Sequence, residues 1–208
     1  MPDYHEAGTF YGSGESVVRV VVSGTHGSGK STLISDFTMN HRAWRMLPDP
    51  YEEVDLANDV PGAATFFAQL RYSALRLLEP QAAPVIAERG PLDFLAYLHA
   101  SAELGRPGEH AAGFERGIAL TRRAMETVDL LVLLPLNQQD TIDIPADEDL
   151  ELRAAMDQSL LELAEDTELT AGAEVVELVG SREERRASLE AIVERWERGA
   201  QHAARATR

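Results

Sequence analysis

The run Gly24-Thr25-His26-Gly27-Ser28-Gly29-Lys30-Ser31 fits the spacing G-x-x-x-x-G-K-[ST], and each part of that pattern suits one task in holding a phosphate chain. Its glycines permit a tight, partly left-handed loop whose successive backbone N–H groups turn inward toward phosphate oxygens. Lys30 supplies a point charge for the outer phosphates, and the Ser31 hydroxyl suits a Mg²⁺ ion. A helix beginning near Lys30 would turn its positive dipole end on the same spot. Thr25, His26, Ser28 and Thr32 complete the expected binding set, His26 mainly through its backbone. The pattern places the Lys30 side chain in open phosphate space rather than in the core.

Three further charged residues follow segments that read as short strands. Asp49 comes after Leu47-Pro48, and Glu88-Arg89 close the run "PVIAER". A carboxylate at such a rim can accept a hydroxyl proton or hold Mg²⁺ through water. A guanidinium there can stabilise charge on a moving phosphoryl group. The same residues also suit structural work, Glu88 with Arg89 as an ion pair and Asp49 as a helix cap.

The elements that must position these residues alternate along the chain. Val17 to Ser23 reads as a buried strand, and Lys30 to Met39 as a helix with Leu33, Ile34 and Phe37 on one face. Trp44 to Pro48 is a short second strand, and Gly62 to Glu79 a helix with apolar residues at helical spacing. Pro84 to Glu88 is the third strand, and Pro91 starts a helix that runs to about Leu104. "GRPGEHAAG" reads as a loop or helix start before a helix over Phe114 to Thr127. Asp129 to Leu134 is the fourth strand, 135–145 is irregular, and Asp147 to Glu165 is an acidic helix. "AEVVELVG" is the fifth strand, and Ser181 to Arg198 the closing helix. Such alternation implies an α/β fold with a parallel sheet covered on both faces, whose ligands sit beyond the carboxyl ends of the strands.

The 208 residues suit a single domain over 17–200, with a flexible leader at 1–16 and a flexible tail at 201–208. Thirty-five acidic against 19 basic residues give a net charge of −16, which disfavours nucleic acid and anionic lipid as general partners. The absence of cysteine excludes disulfides, thiolate catalysis and zinc–sulfur sites, and the six histidines form no metal-ligand pattern. With no membrane-length apolar run and no signal-peptide core, a soluble cytoplasmic protein is expected, and a homodimer is allowed.

"SGTHGSGKST", "LPDPYEE", "FFAQLRYSALR" and "AERGPLDFLAY" resemble successive motifs of the deoxynucleoside kinase and thymidylate kinase-like P-loop kinases. They are also similar to the related AAA-type ATP-binding domain that includes nicotinamide riboside kinase. The resemblance spans roughly 17–135 and implies a three-layer P-loop fold with a five-stranded parallel sheet in the order 2-3-1-4-5. It implies ATP and Mg²⁺ as cofactors and a nucleoside or nucleotide as acceptor. Asp49-Pro50 matches the acid-Pro pair whose acid acts as base on the sugar hydroxyl. Gln69 and Arg76, seven residues apart, match the helix that contacts the base. Glu88-Arg89 matches the Glu-Arg-Ser motif, with Gly90 in the third place. Asp93 stands one position nearer than the family's further substrate-binding acid.

The reading that results is an ATP-dependent small-molecule kinase, with Lys30, Asp49 and Arg89 as catalytic residues. Tyr51, Gln69, Arg76, Glu88 and Asp93 would bind the acceptor, and Ser31 would hold the metal. The alternative is a P-loop ATPase or nucleotide-binding switch that regulates a protein partner. It is favoured by the stretch after the fourth strand, where such kinases carry several lid arginines and this chain offers only Arg153. Arg122 and Arg123 read as a solvated helix end. "NQQD" at 137–140 lacks the lysine of the guanine-reading motif, and no Asp-x-x-Gly follows the third strand, which argues against a GTPase.

Overall fold

Val20, Val21 and Val22 are all fully buried, which requires a strand covered on both faces. The computed structural model describes residues 17–53, 62–136 and 148–206. The expected leader, most of the stretch after the fourth strand, and "NQQD" therefore lie outside the described residues. In chain order the elements are β1 (Arg19–Ser23), α1 (Lys30–Asn40), β2 (Arg45–Leu47), α2 (Pro50–Glu53), α3 (Ala63–Leu78), β3 (Val85–Glu88) and α4 (Pro91–Glu103). Then come α5 (His110–Met125), β4 (Leu130–Leu133), α6 (Leu150–Glu165), α7 (Thr167–Thr170), β5 (Glu174–Glu177) and α8 (Arg182–Ala206).

All five strands are parallel, in the order β2-β3-β1-β4-β5. This is the order the resemblance implies. Val22 pairs with both Glu88 and Val132, and Leu47 with Ala87, so the strands finish near one level. The two-residue period of β1 divides the core. Val20 and Val22 face Leu33, Ile34 and Phe37 of α1 and Leu189 and Val193 of α8. Val21 faces the other layer, with Phe66 and Leu70 of α3, Leu92 and Leu95 of α4, and Met156 and Leu160 of α6.

Local chemistry and packing shift several boundaries. Asp149 accepts a hydrogen bond from the Leu152 N–H at 3.0 Å, which starts α6 at Leu150 instead of Asp147. The helix expected from Phe114 begins at His110, the Gly113 N–H donating to the Glu109 carbonyl at 2.8 Å, and its glycines let α5 pack closely on its neighbours. A Cβ on Gly113 would lie 2.9 Å from Leu98 Cδ2, and one on Gly117 would lie 2.8 Å from Leu70 Cδ1. The short α7 was not expected; Asp166 caps it by accepting from the Glu168 and Leu169 N–H groups. The closing helix passes Arg198 and continues through 201–206, which the sequence reading assigns to a tail.

α4 meets the sheet closely at its first turn, where Gly90 is the N-cap and Pro91 the first helical residue. A Cβ on Gly90 would stand 2.8 Å from Val21 Cγ1, in the middle strand. Serine is the better cap by local preference, but here the clash dominates. Gly90→Ser is therefore expected to lower unfolding free energy by about 1–3 kcal/mol in urea denaturation. An unchanged or raised midpoint would show that β1 and α4 can separate freely.

Candidate functional site

Ser23 ends β1 and hands the chain to a loop that only glycine can begin. Gly24 has φ 153°, and a Cβ there would meet Ser28 Oγ at 2.5 Å and the Leu134 carbonyl at 2.8 Å. Gly27 and Gly29 take left-handed φ values of 66° and 91°. Beneath the loop lies Asp93, fully buried at the third position of α4. Its Oδ2 accepts from Ser23 Oγ at 2.6 Å and from the Gly90 N–H at 2.9 Å, while Oδ1 accepts from the Gly24 N–H at 3.0 Å. Burial pushes its carboxyl above the ordinary range, against Arg89 and these three donors. Asp93 is thus a buried tie between β1, the loop and α4. The sequence reading sets Asp93 in the acceptor pocket; in the structure its oxygens are enclosed and engaged by these three donors.

Lys30 also departs from expectation. Its side chain is 4% exposed and bends back, Nζ donating to the Thr25 carbonyl at 2.8 Å. Burial, then neighbouring Arg89, push its ammonium down to about 7, against the pull of Asp93, Glu88 and Asp49. The Thr25 carbonyl gives this buried cation an oxygen to bond, so the side chain lies along its own loop instead of extending into open space. The hydroxyls of Thr25 and Ser28 are buried with no partner among the described residues.

The charged strand ends separate into two pairs. Ser31 Oγ donates to Glu88 Oε1 at 2.7 Å, which sets Glu88, expected at the acceptor, directly beside the residue expected to hold the metal. Arg89 pairs with Asp49 rather than Glu88; its Nε donates to Asp49 Oδ2 at 2.8 Å. Arg89 holds φ 61°, a left-handed conformation that is strained for a side-chain-bearing residue. Burial works against its charge, but Tyr97, Asp49 and Asp93 outweigh it and raise its pKa. Its Nη1 is buried with no partner among the described residues. Asp49 Oδ1 also accepts from the Tyr51 N–H at 3.0 Å, so the acid caps α2 as well.

Beyond this pair the aromatic rings of α3 and α4 form a wall. Arg89 lies 5.5 Å from the Tyr97 ring centre, and Tyr97 stacks on Phe66 at 4.9 Å. Gln69 is buried on α3. Arg76 does not share its setting: Nη1 donates to the Pro48 carbonyl at 2.8 Å and the guanidinium lies over Tyr72, bracing the end of β2. Tyr51 stands exposed on α2. Sequence reasoning missed Tyr97 in this cluster, although its place four residues after Asp93, on the same helix face, was legible.

Two arginines from distant elements complete the loop's surroundings. Arg153 of α6 donates through Nε to the His26 carbonyl at 2.8 Å, and Arg185 of α8 donates to the Ser28 carbonyl at 3.2 Å. Arg122 and Arg123 are exposed at the end of α5, as expected, with Arg122 paired to Glu168. An open cleft of about 350 Å³ adjoins the loop, lined by Ser31, Thr32, Ser35, Asp36 and Arg182. Among the described residues, no cluster of three or more His, Asp or Glu could hold a metal on its own, and no helix is long and apolar enough to cross a membrane.

The sheet order, the glycine loop and the charged strand ends together define a P-loop protein with the fold of nucleotide kinases. The chain belongs to the AAA domain family, whose model matches residues 19–185. No curated protein sequence matches it. Among solved structures it is similar to thymidylate kinase from Candida albicans, at 18% identity and TM-score 0.65 over 88% of this chain and 93% of that one. It is similar to M. mycoides deoxyadenosine kinase with the products dCMP and dCDP, at 12% identity and TM-score 0.63 over 85% and 99%. NadR in complex with NAD and AMP-PNP is similar at 19% identity and TM-score 0.60 over 86% of this chain and 49% of that chain. At these identities the likeness is one of fold.

The setting of Lys30 has a consequence for stability. Its folded pKa of about 7 lies below the ordinary 10.5, so between those values the unfolded chain binds more protons. Stability must then rise with pH across that window from this group alone, by up to about 1.4 kcal/mol per pH unit. Urea denaturation from neutral to alkaline pH, compared with Lys30→Met, isolates the effect. The parent should gain stability relative to the variant as pH rises; a flat difference would mean that Lys30 is fully charged in the folded protein.

Proposed function

We propose that this chain is an ATP-dependent kinase that transfers a phosphoryl group to a hydroxyl of a small acceptor, a nucleoside or nucleotide. The observation that carries the reading is the Asp49–Arg89 pair, held on strained backbone beside the glycine loop, with one guanidinium nitrogen left unpartnered in a buried setting. Strain and orphaned donors of this kind concentrate where a ligand completes the site.

The residues present fit ATP and Mg²⁺. The left-handed glycines, the buried orphan hydroxyls of Thr25 and Ser28, and the folded-back Lys30 suit a phosphate chain. Ser31 backed by Glu88 suits the ion. When bound, Mg²⁺ neutralises phosphate charge. In this reading Lys30 leaves the Thr25 carbonyl for phosphate oxygens, and Arg89 offers Nη1 to the group in transfer. Asp49 orients the acceptor hydroxyl and takes its proton, while Phe66, Tyr97 and Gln69 offer a flat apolar and polar wall to the rest of the acceptor.

One observation favours the second reading, an ATPase or nucleotide-binding switch that controls a protein partner. Both Asp49 oxygens are engaged, one by Arg89 and one by the Tyr51 N–H. Each oxygen keeps a second lone pair, so proton acceptance has to occur with both of these contacts in place. Labelled ATP with saturating panels of nucleosides and nucleotides separates the readings: acceptor-dependent transfer supports the kinase, and hydrolysis alone overturns it.

With an acceptor in hand, Asp49→Asn should lower kcat about 10²–10⁴-fold while ATP still binds, the usual range for general-base assistance. Glu88→Gln should chiefly raise the Mg²⁺ concentration needed. Single-turnover rates that leave Asp49→Asn nearly normal and Glu88→Gln inactive would exchange the two roles.

A further inference from the structure

A trans peptide unit points its C=O and its N–H in opposite directions. Whatever holds a loop carbonyl outward therefore holds the next residue's N–H inward. Two arginines do this around the glycine loop. Arg153 Nε bonds the His26 carbonyl, and Arg185 Nη1 the Ser28 carbonyl. The N–H groups thereby turned to the opposite face are those of Gly27 and Gly29. Arg153 lies 127 residues beyond His26, and Arg185 lies 157 residues beyond Ser28.

Arg185 is fitted closely to this task. A Cβ on Gly29 would lie 3.4 Å from its Nη1 and 3.8 Å from its Cζ, so the guanidinium lies against the glycine itself. In the same first turn of α8, Arg182 makes two bonds of 2.6 Å to Asp36 of α1. The turn thus grips the loop and the helix that follows it.

We infer that Arg153 and Arg185 are positioning residues of the phosphate loop, which fix the Gly27 and Gly29 N–H groups toward the anion by holding the preceding carbonyls. The inference rests on reading the loop as a phosphate site, and it assigns the arginines to the loop's outer face rather than to contact with the ligand.

Inorganic tripolyphosphate is the test ligand, because it presents phosphates without a base. Calorimetric titration of the full chain should show Arg185→Gln weakening it about tenfold, the scale of one lost charge-assisted hydrogen bond, with ATP weakened to the same degree. The melting temperature of the ligand-free protein should stay near that of the parent. Orientation is not screened by ions, so the loss should persist from about 0.05 M to about 0.5 M salt, where a through-space charge effect fades. Arg153→Gln is the second variant, reached from a different helix, and should behave alike. Unchanged tripolyphosphate binding, loss for ATP alone, loss that vanishes in salt, or loss accompanied by a collapsed melting temperature in both variants would each overturn the inference. A parent that binds neither ligand would overturn the phosphate reading as well, whereas a parent and variants that bind equally would overturn only this one.

Discussion

One buried carboxylate fixes the geometry on which the rest depends. Asp93 has no exposure, and a carboxyl so placed is tolerated only where donors surround it. Its donors are the last side chain of β1, the first N–H of the glycine loop, and the N-cap of α4. Each belongs to a different element, so satisfying Asp93 sets the distance between the loop and the residues that end β3. The contact of Gly90 with Val21 is the steric half of the same constraint. Together they bring α4 down onto the middle strand and leave Glu88 and Arg89 at the rim.

From that rim two consecutive residues serve different places. Glu88 is the last residue of β3 and reaches Ser31. Arg89 leaves strand geometry through a left-handed φ, and its side chain joins Asp49 from β2's end. A conformation of that kind costs about 1–3 kcal/mol and persists only where surrounding contacts over-determine it. Here the Asp49 carboxylate, the Tyr97 ring and the α4 N-terminus do so. The Ser31–Glu88 pair and the Asp49–Arg89 pair can thus be separate although Glu88 and Arg89 are adjacent in sequence.

Local pattern carried much of this into the sequence. The burst of glycines before Lys30 and the buried strands Val20–Val22, Val85–Ala87 and Leu130–Leu133 are legible because each is a short-range signal. Gly113 falls in a stretch that reads as a loop or helix start, because glycine forms helices poorly and the space it leaves for Leu98 is set by tertiary packing. The burial of Asp93 is not legible, because an acid near a glycine loop looks the same in sequence whether it faces ligand or core. The contact of Lys30 with the Thr25 carbonyl is not legible, because the spacing fixes the residue and not the direction of its side chain. Arg153 and Arg185 meet that loop only across the fold, so no spacing in the sequence could pair them with His26 and Ser28.

The charge distribution completes the argument. A chain of net charge −16 would repel a polyanion if its charge were spread evenly. The charge is not spread evenly: some acids pair with arginines at the periphery, Asp149 and Glu151 with Arg106, Glu168 with Arg122, and Glu174 with Arg195. Ions screen such exposed charges over about 8 Å at physiological salt, whereas enclosed charges are screened far less. Around the loop the balance differs: Lys30, Arg153 and Arg185 touch its carbonyls, and Arg89 is near enough to lower the pKa of Lys30. Mutual repulsion among these cations is tolerable because each has an oxygen to bond. An arriving anion would relieve that repulsion without any rearrangement of the sheet, so the local field, and not the net charge, decides what the loop can hold.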